Sequence, residues 1–418
     1  MDNTMAYSLA DFNYNDNPDV LSPPADFEKW LSHPGVQAAF SLFEQPLMSA
    51  PVIRTEVINN FDHKRRKVIN LTSYNYLGLC THPEVIAAAK AALDKYGLGA
   101  SGAALLSGTF DLHIELASKL AAFKEKEACV LFSGGLAANM GAIQGLLRKG
   151  DVFILDEKCH KSLIDGGTLA QARMLFFAHN DMDSLVMMLE KNKGCRTLVA
   201  VEGVYSMDGD LPKLKETVEI CERYHAAIYL DEAHSTFMFG KNGRGIGEHF
   251  GVEDRIGIVF GTMSKVLGGV GGFVCSKAST IRYLKCYSSP FQFSCALPPA
   301  IVAGVLKALE IATRDSTLRD KLWENVAYFR KQLLDMDLNL GDSASQVIPI
   351  IIGSSGEKLL SMALEIQKRG LFLQPVDFPA VPANARRFRL SVSSALTKQD
   401  IDEACNIIHD VIAKGLKN

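Results

Sequence analysis

Lys265 lies within residues 261–272, GTMSKVLGGVGG, an ammonium set among small residues behind an apolar run. A lysine there has little surface to reach towards. Desolvation lowers the pKa of such an amine and frees it as a nucleophile or base, whereas a merely structural lysine would hydrogen-bond loop carbonyls. Asp231 closes a second apolar run, AIYLD, with no Arg or Lys close by in sequence. A buried carboxylate needs a cationic or hydrogen-bonding partner, and a ligand with a protonated ring nitrogen would supply one.

The pair matches what pyridoxal 5'-phosphate requires: an amine for a Schiff base, and an anion that keeps the pyridine nitrogen protonated so that the ring can take up electrons. A phosphate also needs donors. FSGGLAAN (132–139) offers Gly134 and Gly135 in a turn that runs into a helix start, and Thr262 and Ser264 offer hydroxyls. Other motifs fare worse. DEAH at 231–234 spells a helicase motif, but the chain has no G-x-x-x-x-G-K-[ST] phosphate loop. It has no H-E-x-x-H, C-x-x-C or calcium-loop pattern either, so no metal is expected, and no G-x-S-x-G turn of a serine hydrolase. Cys159 beside His160 is a further nucleophile candidate, although adjacent residues point differently in most backbones.

The elements that must position these residues alternate in kind. VFILD (152–156), LVAVEG (198–203), AIYLDE (227–232), IVFGT (258–262) and GFVCS (272–276) read as buried strands. Between them, segments such as KLKETVEICERYH repeat apolar residues at helical spacing. Strands separated by helices predict an α/β fold with a mostly parallel central sheet, whose ligands gather at the carboxyl ends of the strands. Asp156, Glu202, Asp231 and Lys265 all fall at or just beyond such ends. The expected organisation is an N-terminal arm and helix (1–72, disordered or extended to about 26), a large domain (73–312) and a smaller α+β domain (313–418). FEKWLSHPGVQAAFSLF reads as helical with a break at Pro34.

The 418 residues are 48% hydrophobic with a formal net charge of −3, which favours a small-molecule substrate over nucleic acid. No apolar run is long enough to span a membrane, the first residues do not read as a leader, and nine scattered cysteines suit a reducing compartment. A cytoplasmic protein is expected.

Eight blocks in order, TSYNYLGL, SGGLAAN, LDEKCHKSLIDG, VEGVYSMDGDLPKL, YLDEAHSTFMFGKNGRG, GTMSKVLGGVGGF, FSCALPP and FRLSVS, resemble the α-oxoamine synthases, a branch of the fold-type I pyridoxal-phosphate enzymes. The chain looks most similar to the bacterial serine palmitoyltransferases within that family, with the 8-amino-7-oxononanoate synthases next. The resemblance implies that Lys265 forms the Schiff base, Asp231 pairs with the pyridinium nitrogen, and His234 and Ser206 contact the phenolic oxygen. It implies that His160 stacks on the ring, and that Gly134, Gly135, Leu136, Thr262 and Ser264 border the phosphate. Ser294 would reach the phosphate from a neighbouring subunit, making the enzyme a homodimer with shared active sites. Asn75 would line the substrate entrance, and Arg389 would grip the amino-acid carboxylate with its planar fork.

The implied reaction is a decarboxylative condensation of a small L-amino acid, serine ahead of alanine or glycine, with a medium- or long-chain acyl-CoA, as in sphingolipid biosynthesis. The alternative is a reaction like that of the 8-amino-7-oxononanoate synthases, or of another secondary-metabolite α-oxoamine synthase using a carrier-protein thioester, or an aminotransferase or lyase reaction. Three departures bear on substrate: Leu136 replaces an aromatic, Ala103 and Ala104 replace Ser or Thr and Arg, and Leu396 replaces a histidine. A site for a serine hydroxyl would be expected to offer donors that Ala103 and Ala104 lack.

Overall fold

A run such as VFILD, buried at every position, needs cover on both faces, the condition met by parallel strands joined through helical crossovers. In the computed structural model, which describes residues 8–417, seven strands form one sheet. They are β1 Ala128–Phe132, β2 Val152–Asp156, β3 Arg173–Phe177, β4 Thr197–Glu202, β5 Ala227–Asp231, β6 Ile258–Thr262 and β7 Gly272–Ser276. Their spatial order is β1-β7-β6-β5-β4-β2-β3, and only β7 runs antiparallel to its neighbours. The expected fold-type I architecture is present. Strands β1 and β3 are the two that the sequence does not single out: ACVLF follows a charged stretch, and RMLFF is exposed at its first position.

Helix α1 (Gly135–Leu146) follows β1, and helix α2 (Lys161–Leu169) follows β2. They approach so closely that a Cβ on Gly166 would stand 2.8 Å from Ile143 Cβ. Phe132, Phe153, Leu155, Leu163, Tyr229 and Phe260 belong to the core between sheet and helices. Parallel register places Glu202 opposite Asp231, so two carboxylates emerge side by side from one face of the sheet. Helix Pro299–Arg314 packs along helix Pro83–Tyr96, with Gly304 giving passage to Val85 and Ala89.

The chain divides after Ser73 and after Leu322 into two compact units, the large one being Tyr74–Leu322. The small unit joins both ends of the sequence. Strand Arg54–Ile58 pairs antiparallel with Arg65–Asn70, and Leu371–Phe372 extends that sheet in parallel. A second sheet contains Val347–Ile351, Arg387–Ser391 and Pro375–Val376. The break at Pro34 is real: helix Phe27–Leu31 ends before His33, which caps helix Pro34–Phe40. Phe12 packs on Phe27 and Trp30, so part of the stretch expected as an extended or disordered arm is folded; residues 1–7 of that arm lie outside the described residues. Among the described residues, no helix is long and apolar enough to cross a membrane.

Candidate active site

The carboxyl ends of β2, β4, β5 and β6 carry Asp156, Glu202, Asp231 and Thr262. Asp231 is buried, accepting the Ala233 amide on Oδ1 at 2.9 Å and Asn139 Nδ2 on Oδ2 at 2.8 Å. Burial pushes its carboxyl upward, against the pulls of Lys265, the Ala233 amide, Asn139 and His160. Burial raises Glu202 well above the usual carboxylate range, and the Asp231 charge adds to the rise. Glu202 accepts the His160 amide. Asp231 accepts two donors where Glu202 accepts one, which favours the charge on Asp231 over Glu202.

Lys265 lies in the connection between β6 and β7, half-buried, with Nζ 6.0 Å from the centre of the Tyr74 ring. The glycines beside it are required by packing. Gly268 has φ +66°, and a Cβ there would stand 2.5 Å from Cys80 Cα. The lysine turn is thereby pressed onto the segment that carries Tyr74, Asn75 and Tyr76. His234 is buried three residues past β5, with Nδ1 2.9 Å from the Tyr76 hydroxyl.

Ser133, Gly134 and Gly135 turn from β1 into α1, whose N-terminus has no side-chain cap. A Cβ on Gly135 would stand 2.9 Å from Thr262 Oγ1. Thr262 Oγ1 is in turn 2.8 Å from Ser264 Oγ. Two hydroxyls thus crowd a helix start whose amides point outward, an arrangement suited to an anion. Leu136 is largely exposed at this turn. Ser294 Oγ is 3.2 Å from Ser133 Oγ, so the structure brings it to the turn of its own chain.

Ser206 lies in the loop after β4, which Asp210 anchors through His179. His160 caps α2. Asn75 turns both ends of its amide to Cys80, on Sγ at 2.9 Å and on the amide at 3.2 Å. Arg389 stands opposite Pro349 in the small unit. The Cys159 thiol is raised well above its ordinary value by burial and by three surrounding carboxylates, which removes the thiolate that a nucleophile needs. The sequence reading misses Asn139, Tyr76 and His179. Asn139 carried a signal: it lies four residues after Gly135, on the same helical face as the phosphate turn.

Sheet, lysine turn, buried aspartate and anion cradle together define a fold-type I pyridoxal-phosphate enzyme. The class I and II aminotransferase family matches residues 66–408. Over 348 residues the chain is 41% identical to the 8-amino-7-oxononanoate synthase of Thermoanaerobacter pseudethanolicus, covering 83% of this chain and 88% of that one. It is 40% identical to the serine palmitoyltransferase of Sphingobacterium spiritivorum over 340 residues, 81% of this chain and 85% of that one. The solved serine palmitoyltransferase of Sphingomonas wittichii superposes with a TM-score of 0.86 at 32% identity, covering 93% and 95% of the two chains. The chain belongs to this aminotransferase family, within its α-oxoamine synthase branch, and is a pyridoxal-phosphate-dependent acyltransferase. The residues fit the cofactor: the missing side chain at Gly135, where a Cβ would meet Thr262, leaves the uncapped helix start to a phosphate, and Asp231 suits a cationic ring nitrogen.

Proposed function

We propose that the enzyme joins a small L-amino acid, alanine first, to the acyl group of a thioester, releasing thiol and carbon dioxide and leaving an α-amino ketone. The observation that carries this reading is that Asp231 and Lys265 leave neighbouring strands beside the uncapped turn at Gly134 and Gly135. Bound pyridoxal phosphate supplies a ring that takes up the electron pair left when a bond at Cα breaks. Lys265 Nζ would hold the cofactor between turnovers, take the Cα proton of the amino acid and return one at the end. Asp231 provides the anion for the ring nitrogen, His160 covers a ring face, and His234 and Ser206 address the phenolic oxygen. Gly134, Gly135, Thr262 and Ser264 hold the phosphate, with Ser294 beside them. Arg389 takes the amino-acid carboxylate, and Asn75 borders the entrance.

Alanine is favoured over serine because Ala103 and Ala104 offer a substrate hydroxyl no side-chain donor. The relatives' names support both readings. In 8-amino-7-oxononanoate, the carbons beyond the ketone carry the skeleton of decarboxylated alanine, and the rest that of a dicarboxylic acyl chain. Serine is the second reading, supported by the likeness to serine palmitoyltransferases.

A homodimer is part of the proposal. Ala103 pairs with Cys295 in an isolated antiparallel β-bridge, and Leu106 and Phe293, three and two residues from that pair in sequence, are 82% and 84% exposed. Apolar groups so exposed suit a second copy of the chain. Nine free cysteines favour the cytoplasm. The test incubates the holoenzyme with alanine, serine or glycine against acyl-CoA thioesters of graded length, including dicarboxylic ones, and an acyl carrier protein. Thiol release with an α-amino ketone mass is expected, largest with alanine. A keto acid formed without thiol release would overturn it.

A further inference from the structure

The structure assigns to Asn139 the task of a positioning residue, one side chain that orients the Asp231 carboxylate and, through Ser162, fixes which nitrogen of His160 carries the proton. This rests on the proposed roles of Asp231 against the cofactor nitrogen and His160 over its ring.

Asn139, Tyr229, Ser162 and Asp231 are all buried. The Tyr229 hydroxyl donates to Asn139 Oδ1 at 2.7 Å. Asn139 Nδ2 uses its two protons on Asp231 Oδ2 at 2.8 Å and Ser162 Oγ at 3.0 Å. Rotating the amide by half a turn would put its oxygen against the carboxylate, so the charge on Asp231 and the Tyr229 donor hold one orientation. Ser162 Oγ, accepting from Asn139, has its own proton for His160 Nδ1 at 2.7 Å. The Ser162 backbone amide points at the same nitrogen, at 3.2 Å. Two donors on Nδ1 make it an acceptor and leave the ring proton of the neutral imidazole on Nε2. The chain of donors therefore runs in one direction, from Tyr229 to Asn139, then both to the anion and to the imidazole. A neutral amide suits this task, because it donates twice while adding no charge beside Asp231 and Glu202.

The test compares wild type, Asn139→Ala, Ser162→Ala, Asp231→Asn and the double variant Asn139→Ala/Asp231→Asn. Cofactor affinity is measured by absorbance titration. His160 is followed by long-range proton–nitrogen NMR of the apoprotein, assigned with His160→Asn. Losing a hydrogen bond to a charged group should weaken cofactor binding by at least roughly tenfold in Asn139→Ala. That variant should also give His160 a mixture of tautomers. Ser162→Ala should shift the tautomer while holding affinity within about threefold, the difference expected for a change that leaves the charged contact intact. In the Asp231→Asn background, Asn139→Ala should add little further loss. Folded Asn139→Ala with wild-type affinity and a wild-type His160 spectrum would overturn the inference, as would an undiminished loss in the double variant. If Asp231→Asn itself binds cofactor as wild type does, the reading of Asp231 fails instead, and the inference with it. Should Asn139→Ala not fold, Tyr229→Phe removes only the hydroxyl that orients the amide. It should weaken binding in the same direction by a smaller factor, and unchanged binding and tautomer would overturn the inference.

Discussion

Lys265 and His179 show how the same kind of group, a basic nitrogen near carboxylates, can be placed for chemistry or for structure. Lys265 lies in a glycine turn, half-buried and close enough to act electrostatically on both Asp231 and Glu202. Lys265→Ala should abolish the visible absorbance of the lysine-bound cofactor and lower thiol release by on the order of a thousandfold, the usual scale for losing a general base. Thiol release at the wild-type rate would remove Lys265 from the chemistry. His179 is held from both sides, with Nδ1 2.9 Å from Asp156 and Nε2 2.6 Å from Asp210. Burial opposes its charge, but the hydrogen bonds and charges of the two aspartates outweigh burial and raise its pKa to about 9. A histidine raised in the folded state stabilises fully below its unfolded pKa of about 6.5 and loses that contribution as pH rises through its folded value. Thermal melts of wild type and His179→Asn should therefore differ most near pH 6 and converge above pH 9. A gap that stays constant with pH would show that the imidazolium is not what stabilises this loop.

Elements translate these placements into a site. The start of α1 meets β6 where Gly135 faces Thr262, with room for a hydrogen but not for a methyl group. Gly135→Ala should weaken cofactor phosphate binding by roughly tenfold, as expected when an anion loses well-aligned donors. Adding Thr262→Ala should give no relief if Thr262 is itself a phosphate donor, and a return to wild-type affinity would show that only crowding mattered. Cofactor titration of both variants distinguishes the outcomes. Five strands of the sheet are legible as apolar runs, because full burial on both faces writes itself as an unbroken hydrophobic stretch. Strand β3 is less legible, since at the sheet edge Arg173 and Phe176 are exposed and the run mixes polar with apolar.

Across the whole molecule, the two ends of the sequence build one small unit. Gln45 donates to Gln367 at 2.7 Å and accepts from Asn59 at 2.6 Å, all three buried. Gln45→Ala leaves two buried amides short of partners and should cost about 1–3 kcal/mol in urea unfolding. A loss below about 0.5 kcal/mol, the scale of an ordinary surface change, would mean that water replaces the glutamine. Light scattering should give twice the chain mass, and Phe293→Asp should lower it to one chain or weaken association by at least roughly tenfold. An unchanged mass on dilution would place the interface elsewhere.

The sequence by itself determined the strand ends and the chemistry they bear, since burial and residue type are local properties: a lysine among glycines, an aspartate closing a buried strand, a glycine turn opening a helix. Its block order also marked the family. Only the tertiary structure decided that Asn139 and Ser162 join Asp231 to His160, that Glu202 lies in register with Asp231, and that His179 bridges two loops. Those are pairings between residues up to 92 positions apart. Strand order and helix packing bring them within hydrogen-bond reach, and no local pattern records that encounter.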